Sequence, residues 1–162
     1  MTPRIAPIDP TDGAVQTALR ALNNAHAAET SFLDHAAWGR LRDLAFAATH
    51  VPPAAGFMIA MAPDAAYDSP NYLWFRQGPA DFAYVDRVVV DAAARGRGIA
   101  RALYGDLAAR ARASGLRRIV CEVNSAPPNP GSDAFHERLG FQVVGTGSPA
   151  PGKTVRYYAK EI

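Results

Sequence analysis

Val88-Val89-Val90-Asp91-Ala92-Ala93-Ala94-Arg95-Gly96-Arg97-Gly98-Ile99-Ala100 joins an apolar run to a helix-patterned segment through a connection that holds two arginines and two glycines. Glycines between a strand and a helix let backbone N–H groups turn inward on a bound group, and the helix start adds unpaired donors and a positive dipole end. Arg95 and Arg97 add mobile positive charge. The stretch therefore predicts an α/β fold with an anion site, suited to a pyrophosphate, at the carboxyl end of a strand, where open sheets bind ligands. The competing reading of the two arginines is a solvated loop face.

Downstream, Ile99, Leu103, Leu107 and Ala111 recur every fourth residue and mark one face of a helix over Ile99–Ser114, with Gly115 at its C-cap. A strand at Leu116–Asn124 follows, parallel to the one starting at Phe82, which makes a βαβ unit. Ser125–Gly131 is turn-rich, Ser132–Leu139 is a short helix ended by Gly140, and strands at Phe141–Thr146 and Thr154–Lys160 close the fold. Upstream the pattern is weaker. It gives a strand near Arg4–Ile8, helices over Asp12–Glu29 and Asp34–Ala48 with Asp12 and Asp34 as N-caps, a break at Pro52-Pro53, and a strand at Ala55–Met61. Ala65–Gln77 reads as a long loop crowded with Tyr67, Tyr72, Trp74 and Phe75, either packing or the wall of a pocket.

The 162 residues fit a single domain, 49% hydrophobic and 20% charged, as in ordinary globular proteins. A formal charge of +2 without a basic stripe argues against nucleic acid. Cys121 stands alone and cannot form an internal disulfide, and the amino terminus lacks a signal-peptide pattern, so the expected location is the cytoplasm. No apolar run approaches the roughly 20 residues that span a bilayer.

From Phe82 to Thr146 the residues resemble the GNAT superfamily of acyl-CoA-dependent N-acyltransferases. Arg95, Gly98 and Ala100 meet its first motif, and Asn129, seven positions before His136, with Leu139-Gly140-Phe141, meets its second. The resemblance implies a mixed sheet whose parallel central strands splay to admit a pantetheine arm. It implies that main-chain groups along Val88, Val89 and Val90 pair with that arm. The pyrophosphate would lie on Arg95, Gly96, Arg97, Gly98, Ile99 and Ala100, with Asn129 and Phe135 farther along. The cosubstrate would be acetyl-CoA, with no metal, and the acceptor an amine on a small molecule or peptide. A homodimer is common among such proteins.

Acetyl transfer to an amine needs a group that takes a proton, because an alkylamine has a pKa near about 10.4. Asp86, in the alternation Tyr84, Asp86, Val88, Val90, is the first candidate, against an ion pair with Arg87 or Arg118; Glu122 on the next strand is the second. His136 occupies the place where many family members carry a tyrosine that protonates the leaving thiolate, so its role is an acid or that of a half-exposed helix residue. His26, Glu29 and Tyr72 are the candidate acceptor-lining residues. Cys121 reads as core, and His26, His35 and His50 lack metal-ligand spacing.

Two other motifs are set aside. Gly147-Ser148-Pro149-Ala150-Pro151-Gly152-Lys153-Thr154 fits the phosphate-binding P-loop pattern, but a strand-like alternation follows it and two prolines remove N–H donors from the supposed cradle. A turn between the last strands is expected instead of a nucleotide binder. Gly96-Arg97-Gly98 starts a dinucleotide fingerprint, but Arg101 stands at its third glycine, against a nicotinamide enzyme. The functional alternative from another class is a non-catalytic acyl-CoA-binding module.

Overall fold

The computed structural model describes residues 2–162. Asp12 and Asp34 cap the first two helices as the sequence implies. The Asp12 side chain accepts from the Val15 N–H at 3.1 Å to start α1 (Gly13–Ala25), and that of Asp34 accepts from the Ala37 N–H at 2.7 Å to start α2 (His35–Leu44). Both helices end earlier than expected. His26 to Glu29 lie in a turn, and the chain from Ala47 is a strand, β2 (Ala47–Val51). Alanine favours helix here, but β2 pairs antiparallel with β3 (Gly56–Met61) from Ala47↔Ala60 to Val51↔Gly56, and pairing overrides the weaker local preference. A two-residue strand, β1 (Ala6–Pro7), pairs with β2 in turn.

The expected aromatic loop is corrected as well: Pro70–Arg76 is a helix, α3. Pro70 takes the first helical position, where its missing N–H costs nothing and its fixed φ suits a helix. Beyond it the predicted order holds. β4 (Phe82–Val90) leads through a 3-10 turn (Ala92–Ala94) to α4 (Ile99–Ala113), then β5 (Arg118–Ala126), α5 (Pro130–Arg138), β6 (Gln142–Ala150) and β7 (Lys153–Glu161). β4 and β5 are parallel, with Phe82↔Arg118 and Tyr84↔Val120 in register. The sheet order is β1-β2-β3-β4-β5-β7-β6, so β7 lies antiparallel between β5 and β6.

The chain forms two compact units, one of residues up to Met61 with Val85–Arg110, the other of Ala62–Tyr84 with Ala111–Ile162. In the first, Trp38 meets Phe57 edge to face at 5.3 Å, and Gly56 sits so close to its neighbours that a Cβ would fall 2.8 Å from Ile99 Cγ2. In the second, one face of the sheet carries an aromatic layer: Tyr72, Phe75 and Trp74 of α3 pack with Phe82, Tyr84 and Tyr157. Trp74 stacks on Tyr157 at 4.0 Å, over two glycines of β6; a Cβ at Gly145 would meet Trp74 at 2.5 Å and one at Gly147 the Tyr157 hydroxyl at 2.6 Å. On the other face α5 packs His136 between Phe141 and Tyr158.

Candidate active site

In the first unit, the end of β4 is fixed before the loop begins. The Asp91 N–H donates to the Ala55 carbonyl at 2.9 Å, and the Asp91 carboxylate caps the 3-10 turn through the Ala93 N–H. Gly96 and Gly98 then adopt φ of +81° and +73°, which L side chains rarely tolerate, and nothing lies within 4 Å of where their Cβ atoms would be. Backbone conformation, not crowding, demands glycine there. The first intrahelical bond of α4 runs from the Ala102 N–H to Gly98, so the N–H groups of Ile99, Ala100 and Arg101 have no acceptor within the helix. Buried Ile99 anchors this helix start, and Arg95, Arg97 and Arg101 are exposed around it. Arg101, read from the sequence only as a missing glycine, thus adds a third cation to the helix start.

His26, expected to line the acceptor pocket, stands beside this loop. Its Nδ1 faces the Leu22 carbonyl at 3.1 Å and so carries the ring proton, leaving Nε2 to accept from Arg95 at 3.5 Å. Glu29 is exposed, its N–H bonded to the His26 carbonyl. Asp86 is bound by Arg87 at 2.8 Å, with side chains only 5% and 8% exposed, and Arg87 also donates to Asn23 Oδ1 and Ser31 Oγ. The ion pair expected as the alternative for Asp86 is therefore present, with Arg87; Arg118 pairs with Asp81.

In the second unit, Glu122 of β5 receives the Tyr84 hydroxyl at 2.8 Å on Oε2 and 3.0 Å on Oε1, and the Asn71 carboxamide at 3.0 Å on Oε1. Asn71 Oδ1 in turn accepts from the Tyr157 hydroxyl at 2.9 Å. Burial, and then the charge of Glu122, push the Tyr157 hydroxyl above the usual phenol range. Tyr72 is fully buried, its hydroxyl donating to the Ala62 carbonyl, so its place is in the aromatic layer and not on a pocket wall.

His136 is 4% exposed, not half-exposed. Its Nδ1 lies 2.8 Å from the Ser132 carbonyl, which can only accept, so Nδ1 holds the proton. Burial pushes the imidazole below its ordinary pKa, and the neutral ring has no proton on Nε2 to give a thiolate. Asn129 caps α5, its Oδ1 accepting from the Ser132 N–H at 3.3 Å, and Phe135 meets the His136 ring edge to face. Cys121 is buried, as expected of a core residue. The P-loop-like stretch is the hairpin tip between β6 and β7, with Ala150↔Lys153 in register across Pro151 and Gly152. Among the described residues no group of three or more His, Cys, Asp or Glu could hold a metal ion, and no helix is long and apolar enough to cross a membrane.

A mixed sheet with a parallel β4/β5 pair, and a positive-φ glycine loop leading from β4 into the open start of α4, defines an α/β protein with helix N–H donors at a strand's carboxyl end. The chain belongs to the acetyltransferase (GNAT) family, whose model matches residues 53–141. Solved structures share the fold. An aminoglycoside 6'-N-acetyltransferase complexed with coenzyme A superposes with a TM-score of 0.73 at 16% identity, over 98% of this chain and 96% of that one. The ribosomal-protein-S18-alanine N-acetyltransferase of Escherichia coli gives 0.71 at 18%, over 98% and 93%. The ribosomal-protein-alanine N-acetyltransferase of Brucella melitensis gives 0.69 at 21%, over 98% and 99%. No curated protein sequence matches the chain. The family makes this chain an acetyltransferase that acts on an amine.

Proposed function

We propose that the chain moves an acetyl group from acetyl-CoA, or a close acyl-CoA, to a primary amine on a small molecule or peptide. The observation that carries this reading is the loop from Arg95 to Ala100, where two positive-φ glycines and free helix N–H groups coincide with exposed arginines. In this reading Gly96, Gly98, Ile99 and Ala100 present N–H groups to the pyrophosphate and Arg95 and Arg97 neutralise it. Main-chain groups of Val88, Val89 and Val90 pair with the pantetheine amides like an added strand.

Glu122 takes the proton of the acceptor. The amine arrives as an ammonium, and one proton passes to the Glu122 carboxylate, directly or through water, before the nitrogen attacks the acetyl carbon. As the tetrahedral adduct collapses the C–S bond breaks, the amide forms, and the nitrogen's second proton leaves for the thiolate. Asp86 is the weaker candidate because its carboxylate already neutralises a cation, Arg87. His136 packs α5 in this reading rather than acting as an acid. Its buried, Nδ1-protonated state also favours one second reading, a module that binds acyl-CoA without turnover. Amine-dependent release of free thiol from acetyl-CoA, measured over a broad panel of amines, supports the enzyme; acetyl-CoA binding with no release over that panel supports the module.

A further inference from the structure

The layer of rings between α3 and the sheet is interrupted by one polar chain, Tyr157 to Asn71 to Glu122 to Tyr84. Asn71, Tyr84 and Tyr157 are all buried, and polar side chains buried among aromatic rings cost stability unless every donor finds an acceptor. A layer that only packed would carry phenylalanine or leucine at these places. Here the phenol of Tyr84 spans both carboxylate oxygens while the carboxamide of Asn71 fixes Oε1, and both donors are neutral, unlike the guanidinium that holds Asp86. Neutral donors orient a carboxylate without lending it the full positive charge that would depress its basicity. Tyr157 keeps Asn71 from rotating its amide, because its hydroxyl donates to Oδ1 and so leaves Nδ2 toward Glu122.

We propose that Tyr84 and Asn71, the latter held by Tyr157, are positioning residues that set the orientation and proton affinity of Glu122 for the transfer reaction. The proposal rests on the reading of Glu122 as the proton acceptor. Among the described residues, Tyr84 from β4 and Tyr157 from β7 bring titratable hydroxyls toward Glu122; α3 presents Asn71, and its Arg76 lies over the Tyr72 ring.

The test is the pH profile of kcat/KM for the wild-type chain, Tyr84→Phe, Asn71→Asp and Glu122→Gln, with thermal melts and acetyl-CoA titrations confirming that each folds and binds. Losing the Tyr84 donor destabilises the ionised carboxylate, so the acidic limb of Tyr84→Phe moves up by about one pH unit. Its rate is about tenfold lower below the limb and returns toward wild type on the alkaline side. Asn71→Asp sets a like charge against Oε1 and moves the limb farther in the same direction. Limbs that stay at the wild-type pH in both folded variants, while Glu122→Gln is inactive, overturn the positioning proposal alone. A Glu122→Gln variant with wild-type rate and profile instead overturns the proton-acceptor reading, and this proposal with it.

Discussion

Arg95 and Arg97 are exposed and adjoin in sequence two positive-φ glycines and the open start of α4. Each guanidinium that reaches a phosphate makes a charge-assisted bond of about 1.5–3 kcal/mol, discounted here for solvent. Replacing either with alanine is expected to weaken CoA binding by roughly tenfold in calorimetric titration, with a shallower salt dependence and no change in melting temperature. An unchanged affinity in the double Arg95→Ala, Arg97→Ala variant would place the pyrophosphate elsewhere. At Asp86 the expectation is the reverse of the sequence reading: Asp86→Asn leaves Arg87 buried and short of an anion, so it lowers stability by about 3–5 kcal/mol rather than shifting the acidic limb of the rate profile. Denaturant melts and the pH profile separate the two. The residue types of this site were visible in the sequence, and the Asp86–Arg87 pair stood there as one of two alternatives, with Arg118 the other. Arg87 and Asp86 are adjacent in the chain and on a strand would point to opposite faces, so the choice between Arg87 and Arg118 rests on the folded side-chain path.

At the scale of elements, β6 carries the clearest unforeseen constraint. Gly145 and Gly147 alternate on one face because Trp74 and Tyr157 lie over their backbone, and a methyl group at either position would overlap a ring. Gly147→Ala pushes on the Tyr157 hydroxyl, which holds Asn71. Overpacking of this kind costs about 1–3 kcal/mol, and the variant is expected to lose that much in denaturant unfolding while moving the acidic limb upward with Tyr84→Phe. An unshifted limb would show that the ring layer relaxes without disturbing Asn71. Helix α3 itself escaped the sequence reading because about two turns of apolar periodicity are too few to register, although Ser69-Pro70 is a legible start signal. The end of α2 was misplaced for the opposite reason, since the run from Ala45 to Ala48 suits a helix and its strand state comes only from pairing with β3.

For the molecule as a whole, the half from Phe82 onward was legible in element order and in parallel pairing because its loop and cap residues have strong local physics. The place of β7 between β5 and β6 was not, because two alternating strands joined by a hairpin pattern alike whichever one meets β5. Whole-chain stability carries its own pH signature. Burial lowers both His136 and His50 from an ordinary 6.5, so below that pH the unfolded chain binds protons that the native chain resists. The stabilisation is complete above 6.5 and is lost as pH falls toward the lower native values. Urea midpoints should therefore drop between about pH 7 and about pH 5, and His136→Phe, which keeps a ring on Tyr158, should drop less steeply. Equal slopes in the two proteins would mean that His136 titrates normally.

Acetyl transfer from acetyl-CoA to an amine, with Glu122 as proton acceptor, has a direct test. The direct measurement is amine-dependent thiol release, with the N-acetylated product weighed by mass spectrometry, for the wild-type chain and Glu122→Gln side by side. Product and thiol are expected in equal amounts from the wild type, with a loss of roughly 100-fold or more in Glu122→Gln and acetyl-CoA affinity retained. Acetyl-CoA bound by both proteins, with no amine-dependent thiol from either, would rule out this transfer.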